Sequence, residues 1–220
     1  MPRTTSFLDA SVGKKAVMAV TGLVLFGFVV AHMIGNLQAY LGPEPLNAYA
    51  VWLRELVHGA GLWIARGVLL AAVILHVWAA LSLTIDNRKA RPVGYRQRQW
   101  EESTYASRTM VWSGPILALF IVYHLLHLTT GNLHPNFVEG DVYHNFVAGF
   151  RVVPASLFYI VAMLCLGLHL FHGAWSMLQT LGLSHPRWNP LRYTVAGTLT
   201  AVVVLGNISF PVAVLLGIIR

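Results

Sequence analysis

Long apolar runs alternate along this chain with short polar segments that hold nearly all of its charge. The first run, residues 16–43, is 28 residues without a formal charge. About 20 apolar residues are enough to cross the hydrocarbon core as a helix. By that measure five runs are long enough, at about residues 16–40, 61–85, 109–130, 154–181 and 193–219. The pattern predicts an all-α integral membrane protein in which residues 1–220 form one transmembrane domain. Lys14-Lys15 ahead of the first run resembles the start of a signal peptide. The run far exceeds the ~7–15 apolar residues of such a core, so it reads as a retained span.

Two connecting segments are themselves patterned. Residues 46–56 place Leu46, Tyr49, Val51, Leu53 and Leu56 where a short interfacial helix would want them. Residues 131–151 look similar, with Val142, Phe146 and Phe150 spaced by four.

Composition agrees with the runs. The chain is 56% hydrophobic and 10% charged, against roughly 25% charged for soluble domains. The single cysteine, Cys165, lies inside an apolar run. That excludes a disulfide framework, a thiolate iron–sulfur cluster and a c-type haem attachment within the chain. The net charge of +7 sits next to the apolar runs, where topology requires it, and does not argue for nucleic acid. One side of the membrane would carry 11 of the 15 basic residues, including Arg3, Lys14, Lys15, Arg88, Lys89, Arg91, Arg96, Arg98, Arg108, Arg187 and Arg192. By the positive-inside rule the N-terminus is then cytoplasmic and the C-terminus outside.

Histidines are the chemistry within these spans, which hold no Asp or Glu. His32, His76, the doublet His124/His127 and the doublet His169/His172 lie on four different spans, and the fifth has none. An ionisable group at that depth is expensive and raises a functional question. At about 1.5 Å per residue, His32 and His124 lie about 25 and 24 Å from the cytoplasmic edge. His76 and His169 lie about 15 and 20 Å from it. In an up-down bundle of the first four spans, with the fifth packed outside, each pair faces across a diagonal. Two imidazoles facing at one depth suit the axial positions of a b-type haem. Gly22, Gly27, Gly35, Gly114, Ala118, Gly167 and Gly173 would let a flat ring approach. Interhelical hydrogen bonding is the plainer use of such histidines. A proton or ion pathway would recruit Asp or Glu, and zinc would want three or four ligands at one depth. Spacing favours His124 over His127 slightly and leaves His169 and His172 open, because positions i and i+3 share a face. His58, His134, His144 and His185, in loops or at ends, read as solvated or interfacial.

The chain resembles the cytochrome b membrane anchors of succinate dehydrogenase and fumarate reductase, of the single-chain, five-helix, two-haem type. The resemblance rests on Phe28-Val29-Val30-Ala31-His32-Met33, on Leu62-Trp63-Ile64-Ala65-Arg66 through His76, and on Tyr105-Ala106-Ser107-Arg108-Thr109-Met110 through Tyr123-His124-Leu125-Leu126-His127. Its most specific run is Gly167-Leu168-His169-Leu170-Phe171-His172-Gly173-Ala174-Trp175-Ser176. It implies two haems b, ligated by His32/His124 near the outside and His76/His169 near the cytoplasm. Some fumarate-reducing members carry a glutamate where Gly167 stands here.

By the same resemblance a flavoprotein subunit and an iron–sulfur subunit dock on the cytoplasmic face. Electrons would pass between them and menaquinone or another quinone in the inner (plasma) membrane. Residues 88–108 and Arg187-Trp188 are the candidate docking surface. Arg66 and Arg108 are the candidate partners of the haem propionates, and Tyr49, Glu55 and His58 the candidate quinone residues. Rival readings are a dihaem cytochrome b serving a hydrogenase or formate dehydrogenase, and a haem-free channel or transporter. The direction of turnover and any higher oligomer are left open.

Overall fold

The computed structural model describes residues 7–90, 105–183 and 185–220, and the side chains of residues 105–107 fall outside that set. Of the basic residues used to orient the chain, Arg3, Arg91, Arg96 and Arg98 lie outside the described residues. So does most of the candidate docking loop.

The helices are α1 (Ser11–Asn36, continued by a 3-10 turn, Leu37–Leu41), α2 (Pro43–Glu55), α3 (Ala60–Lys89), α4 (Tyr105–His124, continued by a π turn, Leu125–Thr129), α5 (Val142–Arg151), α6 (Val153–Thr180) and α7 (Asn189–Leu215). Five are long and apolar enough to cross a membrane: α1, α3, α4, α6 and α7 with their continuations. At most 33% of the most apolar window of any one of them is buried inside the protein, so the remaining apolar surface needs lipid. Leu119, at 71% exposure, and Leu205, at 67%, are examples.

The ends differ from the expected ones. α1 starts at Ser11, before the two lysines, and Lys14 forms an ion pair with Asp86 of α3. α3 runs a turn past Asp86 to Lys89 and α6 stops at Thr180, before the expected Gly182. α7 starts at Asn189 with Pro190 in its first turn, where a missing N–H costs nothing. It stops at Leu215, ahead of Gly217 at φ 70°.

The two patterned connections form α2 and α5, which cap one end of the spans. In the second of them only residues 142–151 are helical. The part before it turns at Gly131 (φ 77°) and Gly140 (φ 87°), conformations that a continuing helix cannot contain. Asp141 then caps α5, accepting the backbone N–H of His144 at 2.9 Å. Between α2 and α3 the chain reverses through Val57, His58 and Gly59, all at positive φ.

α1 packs along α3, α4 packs along α6, and the two pairs join where α1 meets α6. α7 lies against α6 and, less extensively, α1, so the span without a histidine stands outside the other four. Tyr40 donates to Ser209 at 2.8 Å across the α1–α7 contact. The main buried cluster sits at the capped end, where Leu46, Phe146, Phe150, Tyr159 and Phe210 meet. The opposite end, with Lys14, Asp86, Lys89 and Arg192, is the basic end.

Candidate functional site

The diagonal helices do not pack along one another, yet each diagonal is bridged by a pair of imidazole rings. His32 of α1 and His124 of α4 have ring centroids 5.8 Å apart, with planes at 88°. His76 of α3 and His169 of α6 have centroids 6.2 Å apart, with planes at 54°. Of the two doublets, His124 and His169 are the members whose rings meet a histidine on the diagonal helix.

The other member of each doublet is turned elsewhere. His127 is 1% exposed and packs at the capped end, 5.1 Å ring to ring from His134. A π turn begins directly after His124. In it the Thr130 N–H reaches the Leu125 C=O at 2.9 Å, and His127 still faces the same phenol, that of Tyr159, as His124 does. His172 has its ring edge-on to Trp175 at 5.5 Å.

Three of the four facing imidazoles contact a hydroxyl through Nδ1, each from the helix packed alongside. His76 Nδ1 lies 3.1 Å from Thr21 Oγ1 of α1. The Thr21 hydrogen already goes to the Val17 carbonyl at 2.7 Å, so the imidazole is the donor. His124 Nδ1 lies 3.2 Å from the Tyr159 hydroxyl of α6, and His127 Nδ1 lies 3.1 Å from the same oxygen. All three groups are satisfied when His124 donates to the phenol and the phenol donates to His127. Ser113 Oγ of α4, fully buried, stands 3.5 Å from His169 Nδ1, a long contact. In this tautomer Nε2 keeps its lone pair, the form in which imidazole binds a metal. His32 instead stacks on Phe28, with centroids 5.3 Å apart.

The two pairs form two levels. Thr21, beside His76, stands eleven residues before His32 on α1, and Ser113, beside His169, stands eleven before His124 on α4. Eleven residues rise about 16 Å. These hydroxyl partners were not picked out from the sequence. The available signal was a Ser or Thr on one span at the depth of the histidine on its neighbour.

The donors fit a haem iron at each level. A metal–imidazole bond of about 2 Å, with about 1 Å more to each ring centre, sets two axial rings about 6 Å apart. Among the described residues no three His, Cys, Asp or Glu side chains are placed so that they could hold a metal ion together, as a zinc site would need. A Cβ at Gly27, Gly114 or Gly173 would meet nothing within 4 Å beyond its own helix backbone. At Gly22 it would stand 3.4 Å from the His76 ring. Two other glycines expected to admit a ring do other work. Gly35 faces the Tyr49 ring, 2.6 Å from where its Cβ would be, and Gly167 faces Val204 of α7 at 3.0 Å.

The remaining candidates are more scattered. Arg66 is exposed on α3, its guanidinium 4.9 Å over the Trp63 ring. Arg108 is exposed near the start of α4, at the basic end. Tyr49 is half-buried against α1, one turn beyond His32, and stacks on Trp52 at 5.8 Å. Glu55 ends α2 and His58 lies in the positive-φ turn that follows, both exposed at the capped end.

Fold and site together define a membrane protein of five spans with two levels of facing imidazoles. Residues 87–206, more than half of the chain, match the family model of the succinate dehydrogenase/fumarate reductase transmembrane subunit, and the chain belongs to that family. The matched segment contains His124 and His169 but not His32 or His76, which join them through geometry. No curated protein and no solved structure matches the chain.

Proposed function

We propose that this family member is a dihaem cytochrome b anchor of a succinate:quinone oxidoreductase, carrying electrons between an iron–sulfur subunit and a membrane quinone, menaquinone in the first instance. The observation that carries the reading is the pair of imidazole–imidazole contacts at 5.8 and 6.2 Å on two levels. Two axial imidazoles leave no open coordination position, so the bound haems would supply one-electron transfer and not oxygen activation.

The chain's own residues would hold and orient those groups. His32 and His124 would ligate one haem, and His76 and His169 the other. Thr21, Tyr159 and, at longer range, Ser113 would hold three of the imidazoles in the ligating tautomer. Arg66 and Arg108 are the cations proposed for the propionates. Tyr49, Glu55 and His58, at the capped end beside the His32/His124 level, are the groups proposed to exchange protons with quinone. The dicarboxylate would be handled by a flavoprotein subunit, docked with the iron–sulfur subunit on the basic face. That face would be cytoplasmic, in a plasma membrane, with the C-terminus outside.

The test is purification from membranes without harsh detergent. Two low-spin b-type haems per chain, copurifying with a succinate-oxidising flavoprotein, are expected. A colourless chain would contradict the reading and favour the haem-free channel. Copurification with a hydrogenase or formate dehydrogenase would assign the relay to another enzyme.

A further inference from the structure

At the basic end, where α6 and α7 meet, polar atoms are buried without partners. Arg192 is only 8% exposed, and its Nε and Nη1 find no acceptor among the described residues. The indole Nε1 of Trp175 and Nδ1 of His172 are buried and unpartnered as well. The side chains are contiguous. The guanidinium sits 5.4 Å over the Trp175 ring and 5.9 Å from the Tyr193 ring, and His172 is edge-on to Trp175 at 5.5 Å. Aromatic faces partly offset the charge, but they leave the N–H groups unanswered. A buried guanidinium without an anion is costly, as is each buried donor without an acceptor.

The chemistry that answers this set is a carboxylate. A carboxylate accepts charge-assisted bonds from guanidinium N–H groups such as the unpartnered Nε and Nη1, and the indole N–H can add another. Position says which carboxylate. Trp175 and His172 follow His169 on α6, about 9 and about 4.5 Å along the axis toward the basic end. A porphyrin held by His169 would have propionates at its edge, and an edge directed toward the basic end would bring them toward this cluster.

We propose that Arg192, with Trp175 and His172, binds a propionate of the haem held by His76 and His169. This inference rests on the dihaem reading and adds a residue of α7, the one span that supplies no axial ligand, to the holding of the inner haem. A cation beside a propionate stabilises the reduced haem, so its removal lowers the midpoint potential.

The test is a redox titration of the two haems in the whole purified complex, for wild type, Arg192→Gln, Arg192→Lys and Trp175→Phe. In Arg192→Gln the inner haem should become about tenfold harder to reduce, about 59 mV for one electron, while the outer haem keeps its potential. Arg192→Lys should restore most of the shift, and Trp175→Phe should shift the inner haem about threefold in the same direction. Unchanged potentials in a two-haem Arg192→Gln protein would overturn the inference and leave the dihaem reading standing. So would loss of the iron–sulfur subunit with both potentials unchanged, which would make the carboxylate a partner's. If Arg192→Gln does not accumulate, an unmoved inner haem in both Arg192→Lys and Trp175→Phe overturns it instead. A wild-type protein without haem would take down both.

Discussion

The phenol oxygen of Tyr159 lies 3.2 Å from Nδ1 of His124, close enough to set which nitrogen of that imidazole is left free. The same oxygen reaches Nδ1 of the buried His127 at 3.1 Å, so one hydroxyl orders two imidazoles. The Tyr159 ring also packs edge-on to Phe120 and Phe150, at 5.1 and 4.9 Å. Tyr159→Phe keeps that packing and removes only the hydroxyl. The variant should lose about 1–3 kcal/mol of stability, the cost of leaving a buried polar partner unanswered. Thermal unfolding in mild detergent measures this. In the haem-loaded protein the midpoint of the outer haem should move and that of the inner haem should not.

Gly35 allows the Tyr49 ring to lie against α1, with a Cβ there falling 2.6 Å from Tyr49 Cε1. Gly35→Ala should therefore destabilise the capped end by about 1–3 kcal/mol, as overpacking does. Tyr49→Ala in the same chain should make the second cost much smaller than the first. Additive losses in a double-mutant cycle would show that the two sites are not coupled.

Asp141 ties α5 to α2. Its carboxylate accepts the His144 N–H at 2.9 Å and the Asn47 amide at 3.0 Å, and Asn47 in turn accepts the Tyr143 N–H at 3.0 Å. The His144 backbone bond, then the Asn47 side chain, hold the carboxyl below its usual range. A group with a lowered folded pKa adds stability above its unfolded value, about 3.9. That contribution disappears as pH falls through the folded value. Wild type should lose the difference in melting temperature that separates it from Asp141→Ala as pH falls from 6 to about 3. A gap that stays constant over that range would count against the ionised cap.

Much of this architecture was legible in the apolar runs, because lipid demands long uninterrupted helices and the loops must carry the charge. Depth counted along each run set His32 with His124 at one level and His76 with the His169/His172 doublet at another, since helical rise is nearly constant, but it left the choice within that doublet open. Rotation about the helix axis was not legible. The π turn after His124, and the contacts of its His127 with Tyr159 and His134, leave no mark on the local periodicity. Thr21 and Ser113 look like ordinary small polar residues until the neighbouring helix is placed beside them. Gly35 and Gly167 read as room for a cofactor because their small size does not say which neighbour uses it. Arg192 read as a charge for orienting the membrane, and its burial follows only from how α7 lies on α6.

The central claim, that His169 and not His172 completes the inner pair, is tested most directly by counting haems in single variants. Wild type should carry two haems per chain. His169→Ala should lose the inner haem and keep the outer one, while His172→Ala should keep both. Retention of both haems in His169→Ala with loss of one in His172→Ala would contradict the account.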